Sequence, residues 1–348
     1  MSHGGDLDPA PALLHSWHWL FRPTRDTAGL LDDIRFLRAY VTAGERDARF
    51  QALHQPEGWR VVRDLVETWG LILASWALCF YGSMLWAPLA LLIIGTRQRA
   101  LGNRLHDASH GHMLQSRGAN QRVGTLVCAL PMFEDYELYR LQHLRHHAYL
   151  GTPGKDPDYL EMPPQEPGQP PLSPWAIFLW FAFSPSMWRD SVLATLHKVD
   201  AKKRLQVLAW WACFLGVLAL VAGPRAAASF ALLWLAARAS VYHLVKVFAE
   251  ISDHVGLVPG SIIGYTRNLP GNWLSFFMHP HHDNYHLTHH LFPRIPLSQL
   301  PRMHELLMEV GLYARAHHCD SYFVGETSVV RSWIHPHPEP VSLVSVSP

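Results

Sequence analysis

The longest uncharged stretch of the chain runs from Trp69 to Thr96 and holds 28 residues. One membrane span needs about 20 apolar residues, so this stretch is long for one span and short for two. Two helices fit if the first begins near Trp59 and the second continues past Arg97, with Gly82 and Ser83 as the turn. We therefore predict a helical hairpin rather than one long helix.

A second apolar block runs from Leu205 to Ala222, breaks at Gly223-Pro224 and resumes from Ala226 to Ala237 before it becomes amphipathic toward Glu250. Gly-Pro is a strong turn signal and predicts a second hairpin. The two hairpins make four spans. The expected fold class is an all-α integral membrane protein with two transmembrane helical hairpins.

The charges of the loops predict the orientation of these spans. The two tight turns hold only Arg225, whereas 97–122 holds five arginines and 202–204 is entirely basic. The positive-inside rule places the long segments and both termini in the cytoplasm. The first residues also lack the basic and apolar regions of a secretory signal. We divide the chain into a cytoplasmic N-terminal region (1–58), a membrane domain (59–312) and a C-terminal tail (313–348).

Two further segments have a clear pattern. The apolar run from Trp175 to Phe183 is too short to span a membrane, and we expect it to lie at the interface or to enter only partway. The segment from Leu300 to Leu312 has the spacing of one amphipathic helix.

Composition adds one anomaly to a membrane-like profile. The chain is 49% hydrophobic and 16% charged, and its net charge of +1 excludes a strongly basic nucleic-acid-binding protein. The four cysteines are scattered without CxxC spacing and are interpreted as core residues. Histidine, with 24 residues, is several-fold more frequent than in ordinary proteins. Such an excess indicates a chemistry that needs imidazole.

The histidines fall into three clusters, HDASH, HLRHH and HLTHH. On a helix, positions i, i+3 and i+4 share a face, so each cluster can direct its imidazoles to one side. Because an even number of spans separates the second cluster from the third, we expect all three in one cytoplasmic helical cap. The converging residues are His106, His110, His143, His146, His147, His286, His289 and His290.

Eight nitrogen donors exceed what one ion can bind and suffice for two ions with open positions. Imidazole suits iron, zinc, copper and nickel, so the ligand type does not select the metal. The chain has neither HExxH nor paired thiolates, which makes a protease-type or structural zinc site less favoured.

HDASH, HLRHH within LQHLRHHAYLG, and HLTHH within NYHLTHHLFPRIP resemble the histidine boxes of the membrane fatty-acid desaturase superfamily. The resemblance covers about Trp59 to Pro301. It implies a non-haem centre of two iron ions, bound by the eight histidines, that uses dioxygen and two electrons to remove hydrogens from an alkyl chain. Relatives often add a histidine at the end of the fourth span, and this position resembles His254 here. Glu250 lies four residues earlier and is a candidate for binding through water or for orienting a ligand.

Several residues beside the boxes are candidates for supporting the ligands. Asp156 and Asp158 can accept from imidazole N–H groups, and a turn-forming role for Asp-Pro-Asp is equally open. Asn284 is either such a support or a helix N-cap. His282 lies four residues before His286 and is expected on the same face. His112, His279 and His281 are expected either to support the ligands or to be solvated, and His243 to pack inside the fourth helix or line a substrate channel. Ten other histidines, among them His304 and His318, lack a convergent partner and are expected at the surface.

The resulting hypothesis is an oxygen-dependent membrane desaturase, with a fatty acyl lipid as the default substrate and the bacterial inner membrane as the expected location. A hydroxylase with the same centre is an alternative. HDASHG also resembles bacterial members that act on small amino-acid-like metabolites. The chain contains no GxGxxG and no His-Pro-Gly-Gly, which implies electrons from a ferredoxin or cytochrome-type donor. A membrane metal transporter is an alternative of another class, but 69–96 contains no His, Asp or Glu that could bind an ion near mid-membrane.

Overall fold

The computed structural model describes residues 28–165, 168 and 170–335. The predicted regions at 1–27 and 336–348 lie outside the described residues. Helices form nearly all of the regular structure within the described part. The one strand pair there is short and parallel, with β1 (Arg267–Asn268) beside β2 (His317–His318).

The first predicted hairpin is confirmed. Helix α3 (Gly58–Ala77) continues through a π-helical turn at Leu78–Gly82, and α4 (Ala87–Ser109) returns beside it. The turn begins at Ser83, whose side chain accepts a hydrogen bond from the amide of Leu85. Pro88 falls in the first turn of α4, where its missing N–H costs no helical hydrogen bond.

The second predicted helix pair is also confirmed. Helix α9 (Ala201–Ala222) begins at Asp200, whose side chain accepts from the Lys203 amide, and ends at Gly223 with φ of 91°. Helix α10 (Pro224–Ala237) follows at once, and a π-helical turn at Arg238–Tyr242 leads into α11 (His243–His254). Glycine tolerates the left-handed backbone that this abrupt reversal requires.

Three helical segments are long and apolar enough to cross a membrane, namely Gly58–Gly82, Ala201–Ala222 and Pro224–His254. The chain is therefore an integral membrane protein. Helix α4 is not among these segments, because Arg97, Arg99 and Arg104 interrupt its apolar part. The buried centre of the bundle is aromatic: Trp69 of α3 stacks on Trp234 of α10 with ring centroids 5.8 Å apart.

Shorter helices assemble at the polar end of α4 and α11. The predicted short apolar segment forms α7 (Pro174–Ala182), which exposes Trp175 and Trp180 as expected for an interfacial element. The prediction of a single helix over 300–312 is wrong. The first helix ends at Leu307, where the Val310 amide donates to the Leu307 carbonyl in a turn, and a second helix begins at Gly311. These helices are α1 (Ala28–Val41), α2 (Arg46–Ala52), α5 (Arg117–Val123), α6 (Tyr136–Ala148), α7 (Pro174–Ala182), α8 (Pro185–Leu193), α12 (Ile262–Tyr265), α13 (Ser275–Met278), α14 (His286–Leu291), α15 (Leu300–Leu307), α16 (Gly311–Ala314) and α17 (Val329–Ser332).

Candidate metal centre

Four helices bring the histidines together. Helix α4 carries His106 in its last turn, and His110 follows directly after it. Helix α6 carries HLRHH and is fixed at its start by Asp135, whose side chain accepts from the Leu138 amide. Helix α14 is built almost entirely of the third cluster, HLTHHL, and α11 ends at His254.

The first group of imidazoles contains five histidines whose ligand atoms all lie within 4.8 Å of one another. The Nε2 atoms of His110 and His143 are 2.8 Å apart, and His147 Nε2 lies 3.0 Å from His143 Nε2. His289 Nε2 approaches His147 Nε2 to 3.1 Å. All three clusters therefore contribute to this group, whose members are His106, His110, His143, His147 and His289.

The second group contains four histidines under the same distance limit. His286 Nε2 lies 3.1 Å from His254 Nε2 and 3.0 Å from His290 Nε2, while His146 Nε2 is 3.3 Å from His290 Nε2. The structure thus gathers all nine predicted ligands and divides them into two neighbouring sets. This division was not predicted from the sequence.

The two groups fit two metal ions. Two nitrogens that bind one ion at about 2.1 Å each can be at most about 4.2 Å apart. The ligand atoms of each group lie within 4.8 Å of one another, which is close to this limit. Metal binding requires neutral imidazole, and burial lowers the pKa of His143, His147 and His289 well below the usual value. Nine nitrogen donors on two ions leave coordination positions for dioxygen, which suits redox-active iron and also other metals that imidazole binds.

Asp156 orients a histidine of the second group. Its Oδ1 accepts from Nδ1 of His146 at 2.8 Å, which directs the Nε2 of that ring toward the group. The amides of Gly151 and Asp158 donate to the same carboxylate at 2.8 and 2.9 Å. Burial acts to lower the pKa of His146, but the hydrogen bond to Asp156 and the nearby negative charges outweigh it and raise the pKa.

His254 is held from two sides. Its Nδ1 lies 2.8 Å from the carbonyl oxygen of Tyr265, whose ring stacks on the imidazole with centroids 5.2 Å apart. Arg267 is fully buried and donates to the carbonyls of Ser252 and Val255, both at 2.8 Å, which satisfies the last turn of α11. The position of His254 therefore depends on the loop that follows α11.

The other predicted supporting residues have different environments. Asp158 lies 3.8 Å from His146 Nδ1 with its side chain 54% exposed. Glu250 pairs with Lys246 at 2.5 Å and belongs to neither group. The side-chain amide of Asn284 donates to the Leu269 carbonyl, and α14 begins two residues later, so Asn284 is not its N-cap.

His282 does not share a face with His286, contrary to the expectation from spacing. His281 and His282 have φ of 64° and 69°, a left-handed backbone that interrupts any helix before α14. His281 is turned toward α3, where its Nδ1 lies 3.5 Å from Asp64. His279 instead contacts the Tyr322 hydroxyl at 3.0 Å.

Sequence reasoning missed Asp283, which lies between the histidine-rich turn and the third cluster. Its carboxylate accepts from Arg99 at 2.8 Å and reaches to 3.8 Å from Nδ1 of His106. The position of this carboxylate within HHDNYHLTHH could have identified it as a candidate from the sequence, because carboxylates near metal ligands commonly orient the imidazoles. Asp283 is buried, which strengthens its interaction with the Arg99 guanidinium.

A second missed feature is the polar network behind α14. Asn268 Oδ1 accepts from the Thr288 amide at 3.2 Å and so replaces the missing N-cap of the helix. The hydroxyl of Tyr313 contacts Thr288 Oγ1 at 2.6 Å and His304 Nδ1 at 2.7 Å. The prediction of His304 and His318 as surface residues without partners is wrong, because both take part in this network.

A helical membrane bundle with two adjacent imidazole groups at its polar end is the architecture of a membrane metalloenzyme. Comparison with known proteins makes the class specific, because the sequence model of the family described as fatty acid desaturase matches residues 84–322. The chain belongs to this family and is an oxidoreductase of the fatty-acid-desaturase type. The family implies a non-haem di-iron centre, and the histidine groups are able to bind metal.

The relatives of this chain are named for different reactions. The chain is 28% identical over 244 residues to dihydrorhizobitoxine desaturase of Bradyrhizobium elkanii, covering 66% of this chain and 69% of that protein. It is 26% identical over 271 residues to a sphingolipid delta(4)-desaturase/C4-monooxygenase of Homo sapiens, covering 74% and 72%. It is 27% identical over 210 residues to a beta-carotene ketolase of Haematococcus lacustris, covering 58% of this chain and 57% of that protein. These enzymes give no support to the metal-transporter alternative.

Proposed function

We propose that this protein is an oxygen-dependent desaturase that introduces a carbon–carbon double bond into an alkyl chain. The observation that carries the proposal is the division of nine histidines into groups of five and four, which matches the ligand requirement of two iron ions. We assign the five-histidine group to one iron and the four-histidine group to the other. Asp156 orients the ring of His146. Asp283 binds Arg99 and lies 3.8 Å from His106 Nδ1, beyond hydrogen-bond distance. Glu250 and His282 have no direct part in binding the metal.

The iron pair, when bound, supplies the activation of dioxygen for hydrogen abstraction. In the overall reaction the substrate loses two hydrogens, and dioxygen with two further electrons and two protons forms two molecules of water. Burial favours the neutral form of imidazoles such as His143, His147 and His289, and the hydrogen bond to Asp156 directs the Nε2 atom of His146 toward the centre. His106, His286 and His290 are buried, so bulk water has little access to the two histidine groups.

The topology that we propose has four spans: the three long apolar segments and, in addition, α4. The histidine groups lie on the cytoplasmic side. The apolar half of α4, 87–96, packs beside α3, while its polar half continues into the cap and carries His106. An alkyl chain dissolved in the bilayer can then approach the centre along the bundle. The membrane domain in this proposal extends over 59–312.

The first substrate class is an acyl chain of a membrane lipid, in keeping with the apolar bundle beneath the centre. A second candidate is a small polar metabolite. It is favoured by the likeness to dihydrorhizobitoxine desaturase and by the HDASHG spelling of the first box. In both cases electrons come from an external ferredoxin or cytochrome-type donor.

The test is expression in a heterologous host with labelled dioxygen, followed by profiling of lipids and polar metabolites by mass spectrometry. We expect a product two hydrogens lighter than its substrate, without label. Label in the product would refute desaturation and support the hydroxylase alternative. His143→Ala should abolish the product, and His197→Ala, which removes a histidine paired with Asp190 outside both groups, should retain it. Purified protein with fewer than about two irons per chain would contradict the assignment.

A further inference from the structure

Two of the ligand-bearing helices, α4 and α11, approach the centre with their carboxyl ends. Helix α4 reaches it at His106 and α11 at His254, and the two helices contact each other. Residues that precede these histidines by four, seven or eight positions lie on the same helix face, on the membrane side of the centre. On α11 these residues are Lys246 and Glu250, and on α4 the matching residue is Arg99. The faces that carry metal ligands therefore continue toward the membrane as charged surfaces.

These charged residues are accessible although their neighbours are not. Within 94–109 and 245–255 every residue is buried apart from four, namely Arg99, Gly102, Lys246 and Glu250. The accessible positions of both helices thus lie one or two turns before the ligand histidines, which places them at an opening beside the centre.

The space between α4 and α11 is open near the centre and closed farther from it. A Cβ added at Gly102 would meet no described atom within 4 Å. A Cβ added at Gly95 would lie 2.7 Å from Val241 Cβ, where α4 touches the turn before α11. Seven residues of helix, about 10 Å, separate the two glycines. The helices therefore diverge toward the histidines and leave a short recess, which we call the polar recess. It is bordered by Arg99, Gly102, Lys246, Glu250 and Asp253.

The polar recess holds charged groups whose hydrogen-bonding capacity is not used up. Lys246 Nζ lies 2.5 Å from Glu250 Oε1, and both side chains remain partly accessible. Asp253 is buried and its Oδ1 has no hydrogen-bond partner among the described residues, while its Oδ2 lies 3.8 Å from His286 Nε2. Ionisable side chains in a segment such as Pro224–His254 usually face the bundle interior or a water-filled cavity and mark a functional site. Unused polar atoms are expected where a polar ligand completes a site.

Arg99 faces the same recess from α4. Its guanidinium donates to Asp283 at 2.8 Å, and its Nε has no partner among the described residues. Burial acts to lower the pKa of Arg99, but the charges of Asp283, Asp253 and Glu250 outweigh it and raise the pKa. Two of these carboxylates belong to α11, in keeping with a cation on one wall and anions on the other.

We propose that the polar recess binds a small amino-acid-like substrate through its charged groups. The inference rests on the proposed function and selects the second of its two substrate classes. The substrate carboxylate binds to Lys246, its ammonium group binds to Glu250, and its short carbon chain extends toward the histidines. Glu250 and His254 are four residues apart, about 6 Å along α11, which a short chain can span. Two adjacent carbons each lose one hydrogen, and dioxygen with two electrons from the external donor and two protons forms two molecules of water.

A membrane acyl chain is the competing occupant. A double bond within a long chain requires methylenes on both sides of the reacting carbons, so such a chain would have to pass the ion pair of Lys246 and Glu250. Its methylenes would remove water from these charges without replacing the hydrogen bonds. The contact between Gly95 and Val241 also closes the recess on the membrane side. Charge and length therefore both favour a compact zwitterion.

The experiment uses the full-length protein in nanodiscs of saturated phosphatidylcholine, which present acyl chains, and straight-chain α-amino acids from norvaline to 2-aminooctanoate as probes. Lys246→Met and Glu250→Gln each remove one charge at similar size, and Lys246→Arg restores the positive charge. The matched control is Lys198→Met, which removes a lysine paired with Asp190 outside the recess. Calorimetry measures probe binding to the metal-free protein. Mass spectrometry measures the products of iron-loaded protein supplied with reduced ferredoxin.

We expect wild type to bind at least one amino acid and to convert it into a product two hydrogens lighter, while the lipid chains stay saturated. Lys246→Met and Glu250→Gln should bind the probe about tenfold to a hundredfold more weakly, because each loses a hydrogen bond between charged groups. Their KM should rise more than their kcat falls, at unchanged iron content. Lys246→Arg and Lys198→Met should remain close to wild type.

Three results would overturn the proposal: wild type binds no probe, the lipid chains become unsaturated, or Lys246→Met and Glu250→Gln bind as well as Lys198→Met. Binding that depends on both charges, without any product from iron-loaded protein, would instead count against the proposed function. The two failures are distinguishable because binding is measured on metal-free protein.

Discussion

Replacement of Asp156 by asparagine tests whether the hydrogen bond from His146 to Asp156 supports the binding of only one of the two metal ions. The Asp156 carboxylate accepts three hydrogen bonds, from His146 Nδ1 and from the amides of Gly151 and Asp158. Asparagine has the same shape but only one acceptor oxygen, so its amide group must face at least one of these donors. Whichever way it turns, a buried donor loses its partner, or His146 is no longer oriented.

The expected magnitude follows from these contacts. An unsatisfied buried donor costs about 1–3 kcal/mol of folding free energy. Loss of the acceptor that orients a ligand histidine reduces metal affinity by about tenfold to a hundredfold, equivalent to about 1.4–2.7 kcal/mol. Since His146 belongs to the four-histidine group only, the weakened affinity should concern one of the two ions.

The assay is iron content after dialysis against graded concentrations of chelator, measured on full-length protein in detergent. Asp156→Asn should lose one iron at lower chelator concentration and keep the other near the wild-type midpoint. Asp158→Asn is the matched control, because its carboxylate is half exposed and lies 3.8 Å from His146 Nδ1. Equal retention of both irons by the two variants, or parallel loss of both irons in Asp156→Asn, would refute the reasoning.

Three further outcomes are expected. Asn268→Ala should lower the free energy of unfolding by about 1–3 kcal/mol in denaturant titrations, because the Thr288 amide loses its cap. Gly95→Ala should lower the free energy of unfolding by about 1–3 kcal/mol, because the added Cβ would lie 2.7 Å from Val241 Cβ. Gly70→Ala is the control: its Cβ would meet no described atom within 4 Å, and the variant should fold normally in the same assay. Metal-free protein should lose thermal stability as pH falls below about 6.5, because seven of the eight box histidines have lowered pKa values and protonate more readily when unfolded. His146, with a raised pKa, contributes the opposite sign, so a rise in stability toward acid would contradict this account.

Much of the fold follows from local sequence. The uncharged stretch 69–96 and the Gly223-Pro224 break predicted both helix pairs, because apolar length and turn residues act over a few neighbours. The prediction of one helix from the amphipathic spacing at 300–312 was wrong, because the spacing of apolar residues continues across the short turn after Leu307 and does not reveal it. The predicted domain boundaries and the four-span topology remain predictions.

The sequence by itself determined which histidines converge, because i, i+3 and i+4 spacing places them on one face of each helix. Only the tertiary structure decided how they divide between two groups, since adjacent members of one box, such as His146 and His147, belong to different groups. Tertiary contacts also decided which polar residues support them. Tyr265 of α12 contacts His254, Asn268 of β1 contacts α14, and Asp283 binds Arg99 of α4. These contacts join different elements of the fold and leave no periodic signal in the chain.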